Sequence, residues 1–236
     1  MVDAKLSKVN INHMQTQTNT DKYDKPFICF DGIDGSGKDT QARFLLAEIQ
    51  DGRTKFAKSS SVWLTKEQTD ITEEGIQISL KQKDQKFDVD EATKLFVRDR
   101  LKHSEYIRQI LSHSIVISVR YFLSTLAYQS AQGEKIEEIW EMHTKPSNFF
   151  KDLGHCRIIV PDFYFYIHVD PKEAMNRIKK NRIETQFFER LDFLTKVCDQ
   201  YQNAIDFLKS VNISIIEIDG MKSREEVLME VLKHLH

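Results

Sequence analysis

The chain has 236 residues, which is enough for one α/β domain with a well-buried core or for two small domains. Its formal net charge of −2 argues against a generally basic nucleic-acid-binding protein, so no nucleic-acid partner is predicted. No apolar run approaches the ~20 residues that span a bilayer, so no membrane segment is predicted either. Cys29, Cys156 and Cys198 have neither an even count nor metal-ligand spacing, which predicts a reduced, cytoplasmic protein.

Strands are predicted from short apolar runs that follow a polar N-terminal segment. Residues 1–25 are expected to form a disordered extension, and residues 26–236 a single folded domain. The runs are rich in β-branched and aromatic residues, and near-continuous apolarity is typical of strands covered on both faces. The predicted strands are Phe27–Phe30, Ser61–Leu64, Ile115–Ile117, Phe163–Ile167 and Ile213–Ile216.

Helices are predicted where apolar residues recur at three- and four-residue steps. These stretches are Lys38–Ile49, Glu91–Leu111 and Phe187–Leu208. The alternation of strands and helices predicts an α/β fold with a parallel sheet. Because ligands in such sheets bind beyond the carboxyl ends of the strands, the residues that follow each strand are candidates for a functional site.

The segment after the first predicted strand has the spacing of a Walker A phosphate-binding loop and opens the first predicted helix. Its glycines allow backbone N–H groups to turn toward a phosphate without a Cβ in the way. Lys38 adds a charge for the β- and γ-phosphates, and the helix N-terminus adds the positive end of its dipole. The predicted phosphate-binding residues are Gly32, Asp34, Gly35, Ser36, Gly37, Lys38, Asp39 and Thr40.

One position departs from the Walker A pattern. The residue after the lysine is ordinarily Ser or Thr, whose hydroxyl binds Mg²⁺, whereas Asp39 stands there in this chain. A carboxylate beside a triphosphate repels it unless a cation lies between them. Two interpretations stay open: Asp39 helps to hold Mg²⁺, or it points away and caps its own helix.

Basic residues also follow the next two strands. Lys66 follows the second strand, and Arg120 follows the third, where a guanidinium can bind a phosphate through two parallel hydrogen bonds. The alternative for Arg120 is a surface ion pair. Phe96 and Arg100 share a helix face, so together they can stack on a nucleobase and bond to its edge. The alternative for this pair is a core phenylalanine beside a solvated arginine.

Several of these segments occur in an order that resembles one known family. The segments are Phe30–Lys38, Leu95–Arg100, Arg120-Tyr121 followed by Ser124–Gln129, Pro161-Asp162 with Tyr164–Asp170, Arg177-Ile178, and Phe188-Glu189. Over residues 26–236 they resemble the thymidylate kinases, which are P-loop nucleoside-monophosphate kinases. The resemblance implies a P-loop fold with a five-stranded parallel sheet, a short lid and a homodimer. The helix Glu91–Leu111 and the third-strand segment would supply the subunit contact.

The resemblance implies an enzyme that transfers the γ-phosphoryl group of ATP to dTMP with Mg²⁺ as cofactor. Lys38 and the loop backbone would hold the phosphates of ATP, while Asp34 would lie near the acceptor phosphate and the metal. Arg120 would bridge the two phosphates. The remaining substrate-binding residues would be Lys66, Phe96 against thymine, Arg100 at the edge of the base, and Ser124, Thr125 and Tyr128 around the base and sugar.

A lid over ATP is implied for Arg177–Phe188. Its basic residues are Arg177, Lys179, Lys180 and Arg182. Because the phosphate-binding loop has no arginine of its own, the lid would supply the charge that offsets the transition-state anion. Arg177 and Arg182 are therefore predicted to bind ATP, and Arg182 is also a predicted catalytic residue.

Two departures from the family leave other functions open. Val119 stands where the family has an aspartate before the arginine of the third strand. The second-strand segment, usually Thr-Arg-Glu-Pro-Gly-Gly, begins Thr-Lys-Glu-Gln in this chain, so Lys66 keeps a cation without the planar fork. The alternatives are a kinase for another deoxynucleotide or a deoxynucleoside, and a nucleotide-binding protein that has lost catalysis.

Overall fold

The protein is described by a computed structural model, in which residues 23–56, 61–84, 88–181 and 191–235 are placed. The strands are β1 Phe27–Asp31, β2 Ser61–Lys66, β3 Ser114–Val119, β4 Phe163–His168 and β5 Ile216–Asp219. The helices are α1 Lys38–Gln50, α2 Glu73–Asp84, α3 Val89–Ile110, α4 Phe122–Ser130, α5 Ile136–Thr144, α6 Pro171–Asn181, α7 Leu191–Ser210 and α8 Arg224–His234. Two short 3₁₀ helices, Pro146–Asn148 and Lys151–Leu153, lie between α5 and β4.

The five strands form one parallel sheet in the order β2-β3-β1-β4-β5. The central strand β1 pairs with β3 on one side and β4 on the other. Every residue of β1 and β3 is buried, as expected for strands covered on both faces. The predicted α/β fold with a five-stranded parallel sheet is confirmed. Its carboxyl edge brings the segments after β1, β2 and β3 next to one another.

The fifth strand lies further along the chain than predicted, at Ile216–Asp219 rather than Ile213–Ile216. It is an edge strand that pairs only with β4. Ile218 is buried, whereas Glu217 and Asp219 are exposed. An edge strand of this kind alternates in polarity. The prediction was placed on Ile213–Ile216 because that run is more continuously apolar than the strand itself.

The helices confirm two predictions in full and a third in part. α1 and α3 correspond to the predicted helices at Lys38–Ile49 and Glu91–Leu111, with bounds that differ by one or two residues. α7 matches the predicted third helix from Leu191 onward; residues 187–190 lie outside the described part of the chain. Within the described residues, no helix is both long and apolar enough to cross a membrane. The predicted extension over residues 1–25 falls almost wholly outside them.

Candidate active site

The loop between β1 and α1 has the backbone that its glycines predict. Gly35 and Gly37 have φ angles of 81° and 94°, in the left-handed region that favours glycine. A Cβ at Gly35 would lie 2.5 Å from the carbonyl oxygen of Ala174, so no larger residue fits there. Gly37 is the N-cap of α1 and has no side chain to cap the helix, while Oγ of Ser36 accepts a long hydrogen bond of 3.4 Å from the N–H of Lys38. The positive end of the helix dipole lies at this loop, where it favours an anion.

Asp34 joins the two cations of this loop region. Its Oδ1 lies 3.4 Å from Nζ of the buried Lys38 and accepts a hydrogen bond of 2.6 Å from Nη2 of Arg120. Burial opposes ionisation of Asp34, but the charges of Arg120 and Lys38 outweigh it and hold the pKa of the carboxyl well below its usual value. Burial and the charge of Arg120 lower the pKa of Lys38, against the attraction of Asp34. The two positive charges of the cluster therefore converge on one carboxylate.

Arg120 is held at the carboxyl end of β3 by both its backbone and its side chain. Its φ of 68° is unusual for a residue other than glycine, and such strain typically costs about 1–3 kcal/mol and concentrates at functional sites. Nη1 donates to Oγ of Ser124 at 2.8 Å, and the guanidinium lies 5.1 Å from the ring centre of Tyr128. Its ion pair with Asp34 lies in the pocket, so Arg120 is not a surface ion-pairing residue.

Asp31 is the residue that sequence reasoning missed most clearly. It ends β1 and is fully buried, and its carboxylate accepts hydrogen bonds from several surrounding segments. The donors are the N–H groups of Gly32, Tyr121 and Ser124 and the hydroxyls of Ser124, Tyr164 and Tyr201. Because the hydroxyl of Ser124 also accepts a hydrogen bond from Arg120, Asp31 positions that arginine indirectly, through Ser124. The available signal was a carboxylate at the end of an otherwise apolar buried strand.

A pocket at the carboxyl edge of the sheet brings together most of the predicted site residues. Those that line it are Asp34, Lys38, Asp39, Lys66, Phe96, Arg100, Arg120, Ser124, Thr125 and Tyr128. It is also lined by residues that were not predicted to take part, namely Glu67, Gln68, Gln82, Val119 and Gln129. Gly32, Gly35, Ser36, Gly37 and Thr40 belong to the loop and the first turn of α1 beside it.

Phe96 and Arg100 lie on the same face of α3, as their spacing predicts. Phe96 is half-buried, and Arg100 is only 1% exposed. The alternative of a core phenylalanine beside a solvated arginine therefore describes neither residue. Arg100 forms a buried ion pair with Glu67, in which Nη2 and Oε2 are 2.5 Å apart. His103 and His143, which have no ligand spacing in the sequence, are both fully buried.

Asp39 lies in the first turn of α1, where its side chain is 67% exposed. Its Oδ2 is 3.7 Å from Nζ of Lys38, and among the described residues it makes no capping hydrogen bond. Val119 is 7% exposed and lines the same pocket, so this departure from the family pattern and the Walker A departure at Asp39 face one region. No group of three or more described His, Cys, Asp or Glu side chains is arranged to hold a metal.

Comparison with known proteins identifies the family. Residues 30–231 match the model of the family described as thymidylate kinase. The chain belongs to the thymidylate kinase family. It is 33% identical over 214 residues to the probable thymidylate kinase of Methanocaldococcus jannaschii, covering 90% of this chain and 96% of the relative. Membership makes the protein a nucleotide-binding phosphotransferase with dTMP kinase activity.

Two further members of the family show similar relationships. The probable thymidylate kinase of Methanococcus aeolicus is 32% identical over 212 residues, which are 89% of this chain and 95% of the relative. The probable thymidylate kinase of Thermococcus kodakarensis is 30% identical over 221 residues, which are 87% of this chain and 95% of the relative. The relationship therefore covers nearly the whole length of these kinases.

The loop after β2, where the chain departs from the pattern of thymidylate kinases, is anchored by Asp99. This carboxylate is 1% exposed and lies next to Arg100 on α3. It accepts hydrogen bonds from the N–H of Thr69 at 2.9 Å, from the hydroxyl of Thr69 at 2.5 Å and from the hydroxyl of Thr72. Buried threonine–carboxylate bonds thus hold the loop where other thymidylate kinases have Pro-Gly-Gly.

The predicted lid falls within the described residues only at its start. Arg177 lies on α6, where Nε binds Glu173 at 2.9 Å and Nη1 donates to the carbonyl of Gly220 at 3.0 Å. It is not among the described residues that line the pocket. Arg182 and the rest of the predicted lid to Phe188 lie outside the described residues, as do the side chains of Lys179 and Lys180.

Proposed function

We propose that this member of the thymidylate kinase family transfers the γ-phosphoryl group of ATP to dTMP, giving dTDP and ADP. One observation carries the proposal. A pocket joins the cations of a phosphate-binding site, Lys38 and Arg120, to an aromatic ring and a guanidinium on one helix face, Phe96 and Arg100. The first pair suits phosphates and the second suits a nucleobase, as the substrates of this reaction require.

The phosphate end works by positioning and charge, because phosphoryl transfer requires little covalent chemistry from the protein. Lys38 and the loop N–H groups hold the phosphates of ATP. Arg120 bridges the donor and acceptor phosphates and stabilises the charge that spreads over them in the transition state. Asp34, which pairs with both cations, keeps them oriented toward the position of the transferred group.

Mg²⁺ suits the carboxylates beside Lys38. This ion commonly takes one or two protein carboxylates, with phosphate oxygens and water completing its shell. Asp34 and Asp39 would hold it, and when bound it neutralises charge on the β- and γ-phosphates. The exposed position of Asp39 in the pocket, without a capping hydrogen bond among the described residues, supports a metal-facing role.

The base end recognises thymine. Phe96 stacks on the ring, and Arg100 donates hydrogen bonds to its edge. A site built to bond a base edge rejects bases that leave its buried groups unpaired. The residues that line the rest of the dTMP site are Ser124, Thr125 and Tyr128, with Lys66 near the acceptor phosphate.

The ATP side extends beyond the pocket. Gly32, Gly35, Ser36, Gly37 and Thr40 contribute to the phosphate-binding loop, and Arg177 and Arg182 bind ATP from a lid over residues 177–188. In this proposal residues 26–236 work as one kinase domain, and Arg182 supplies transition-state charge. The chain acts in the cytoplasm, which the three free cysteines support.

A homodimer is proposed through α3 and the helix packed against it. α2 contacts α3, and exposed apolar residues on these helices include Ile76, Leu80 and Tyr106. The third-strand segment was also expected to contribute; β3 itself is buried throughout between β1 and β2, so the proposal rests on α3 and α2. A stable interface buries at least about 1,000 Å² in total. Light scattering at micromolar concentration should give twice the chain mass, and a monomer mass would contradict the dimer.

A coupled ADP-release assay tests the reaction. The purified protein is given ATP, Mg²⁺ and, in turn, dTMP, dUMP, dGMP, dCMP or thymidine, with Lys38→Ala as the background control. We expect the highest kcat/KM with dTMP. A higher value with another acceptor would assign a different substrate, and background rates with all of them would indicate binding without catalysis.

A further inference from the structure

Arg100 is held by Glu67, which lines the pocket, and by His143 and Tyr121, which are not among its described lining residues. Its Nε donates to Oε2 of Glu67 at 2.7 Å, and its Nη2 lies 2.5 Å from the same oxygen. Its Nη1 lies 2.7 Å from Nε2 of His143, which comes from α5. The face of the guanidinium lies 5.4 Å from the ring centre of Tyr121. The side chain is therefore fixed in position and in plane.

The hydrogen bonds of His143 define its tautomer. Nδ1 lies 2.8 Å from the carbonyl oxygen of Ile139, which can only accept, so Nδ1 carries the proton. Nε2 faces Nη1 of Arg100, which can only donate, so Nε2 is the acceptor. Burial, reinforced by the charge of Arg100, lowers the pKa of His143 well below its usual value. The ring is neutral, and its free lone pair is directed at the guanidinium.

Glu67 is itself held in place. Its Oε1 accepts a hydrogen bond of 2.8 Å from Nδ1 of His103, whose Nε2 lies 3.0 Å from Oγ1 of Thr65. Its backbone N–H donates to the carbonyl of Val119 at 3.0 Å. The carboxylate therefore cannot follow Arg100 if the arginine shifts, and it acts as a fixed reference point for the guanidinium.

The contacts leave a defined set of donors for a ligand. A guanidinium carries five N–H groups. Glu67 takes one from Nε and one from Nη2, and His143 takes one from Nη1. One N–H on each terminal nitrogen remains, and Arg100 lines the pocket while His143 is not among its described lining residues. A base that meets Arg100 therefore encounters donors and must offer an acceptor.

We propose that His143 is a positioning residue for base selection. It is a neutral hydrogen-bond acceptor that fixes the guanidinium of Arg100. The pocket therefore favours pyrimidines that present a carbonyl, rather than an amino group, at the edge facing Arg100. The inference rests on the proposed function, since it concerns the same pocket. His143 acts through Arg100 and does not itself touch the substrate. Without the acceptor, the guanidinium can rotate, and the penalty for an amino group falls.

The test compares His143→Leu, which removes the acceptor, with His143→Gln, which retains one. Met142→Ala is the matched control, because Met142 is buried on the same helix but has no comparable acceptor. We expect His143→Leu to raise KM for dTMP roughly 10- to 150-fold, on the scale of one hydrogen bond to a charged group, with kcat and KM for ATP within about threefold of wild type. The preference for dTMP over dCMP should fall by a similar factor, and His143→Gln should restore most of it.

Unchanged KM and dTMP preference in a folded His143→Leu protein would overturn the proposal, as would an equal shift in Met142→Ala. Wild-type protein provides a readout that does not require the variants to fold. Long-range ¹⁵N–¹H NMR at pH 7 should show His143 as the neutral Nδ1–H tautomer. A cationic ring or an Nε2–H tautomer would contradict the inference. A wild type inactive on dTMP would contradict the proposed function instead, while leaving this tautomer measurement intact.

Discussion

The two ends of the pocket hold their arginines in opposite ways. At the phosphate end, Arg120 is 18% exposed, and its carboxylate partner Asp34 is 25% exposed and shared with Lys38. At the base end, the Arg100 and Glu67 side chains are each 2% exposed, and His143 adds a neutral acceptor behind them. One arginine has a partly exposed partner that is shared with a second cation, and the other has buried partners.

The difference agrees with the ligand proposed for each end. Phosphates bring their own negative charge and must enter and leave, so cations there must be able to change partners. Partly exposed ion pairs suit this role better than fully buried ones, because water can solvate each charge while its partner changes. A nucleobase is neutral and is selected by the geometry of its edge, which requires a donor fixed in advance. The following predictions test this contrast, from the largest expected effect to the smallest.

The stability of Arg100→Ala and Arg120→Ala compares the two ends directly. Arg100→Ala leaves the Glu67 carboxylate buried with reduced compensation, which should lower the free energy of unfolding by about 3–5 kcal/mol. Arg120→Ala leaves Asp34 still paired with Lys38, so it should lower the free energy of unfolding by less than Arg100→Ala does. Urea denaturation of both variants measures the difference. Equal losses would show that the two arginines are held alike.

Lys38→Ala should leave the fold intact and reduce phosphoryl transfer by at least about 10²- to 10³-fold. The lysine charge is needed mostly where negative charge is redistributed in the transition state. Steady-state kinetics with ATP and dTMP measure the loss, and Lys172→Ala, at an exposed position on α6, is the control. Near-normal turnover by Lys38→Ala would remove the phosphate end from the mechanism.

The contrast also separates what could be predicted from sequence and what could not. The phosphate end was readable because its chemistry is local: the glycines and Lys38 are close in sequence, and Arg120 follows a strand. The base end was readable only as the α3 pair Phe96 and Arg100. Its supports Glu67 and His143 lie 33 and 43 residues from Arg100, so no local pattern joins them. Such partners become visible only when the chain is folded.

Secondary structure shows a similar limit. α2 was not predicted, because Ile76, Ile78 and Leu80 alternate with polar residues as in a strand. In the helix Ile78 is buried, while Ile76 and Leu80, four residues apart, are exposed. α8 was also missed, although Ser223 and Glu226 form a capping box with a recognisable spacing. The first omission reflects an ambiguous pattern, and the second an available signal that was not used.

Asp39→Ala should lower activity about 10- to 100-fold, the usual range for loss of a metal-associated carboxylate, and should weaken the dependence of nucleotide affinity on Mg²⁺. The proposed cause is relocation. The family's carboxylate before Arg120 is replaced by Val119, and Asp39 lines the same pocket. Titration of ATP binding against Mg²⁺ measures the dependence. Asp39→Thr alone should be as impaired as Asp39→Ala, because both positions then lack a carboxylate. Asp39→Thr combined with Val119→Asp should have most of the wild-type activity.

Asp39→Asn is the control for a purely helical role of this residue. Asp39 lies near the positive end of the α1 dipole, where a negative charge contributes about 0.3–1 kcal/mol of stability. If Asp39→Ala and Asp39→Asn remain active with unchanged Mg²⁺ dependence and lose only this stability, the relocation is wrong. Asp39 would then serve α1 alone, and the phosphate end would bind Mg²⁺ without it.

The smallest expected effect is a difference in stability between pH 6.5 and 5.5. His143 has a folded-state pKa well below its usual value near 6.5, because burial and the charge of Arg100 oppose its protonation. Below pH 6.5 the unfolded chain therefore binds a proton at this position that the folded protein does not, and stability falls as the pH falls. For one such group the loss over this window is about 1 kcal/mol. Glutamine does not titrate in this window, so the stability of His143→Gln should fall by about 1 kcal/mol less than that of wild type.

The phosphate end should contribute no change in stability between these pH values, because the pKa of Asp34 lies well below its usual value and its carboxylate stays ionised. Urea denaturation of both proteins at the two pH values isolates the contribution of His143, since the other titrating groups are common to both. Parallel losses in the two proteins would mean that His143 accepts a proton while folded, and the base end would then not be a fixed arrangement.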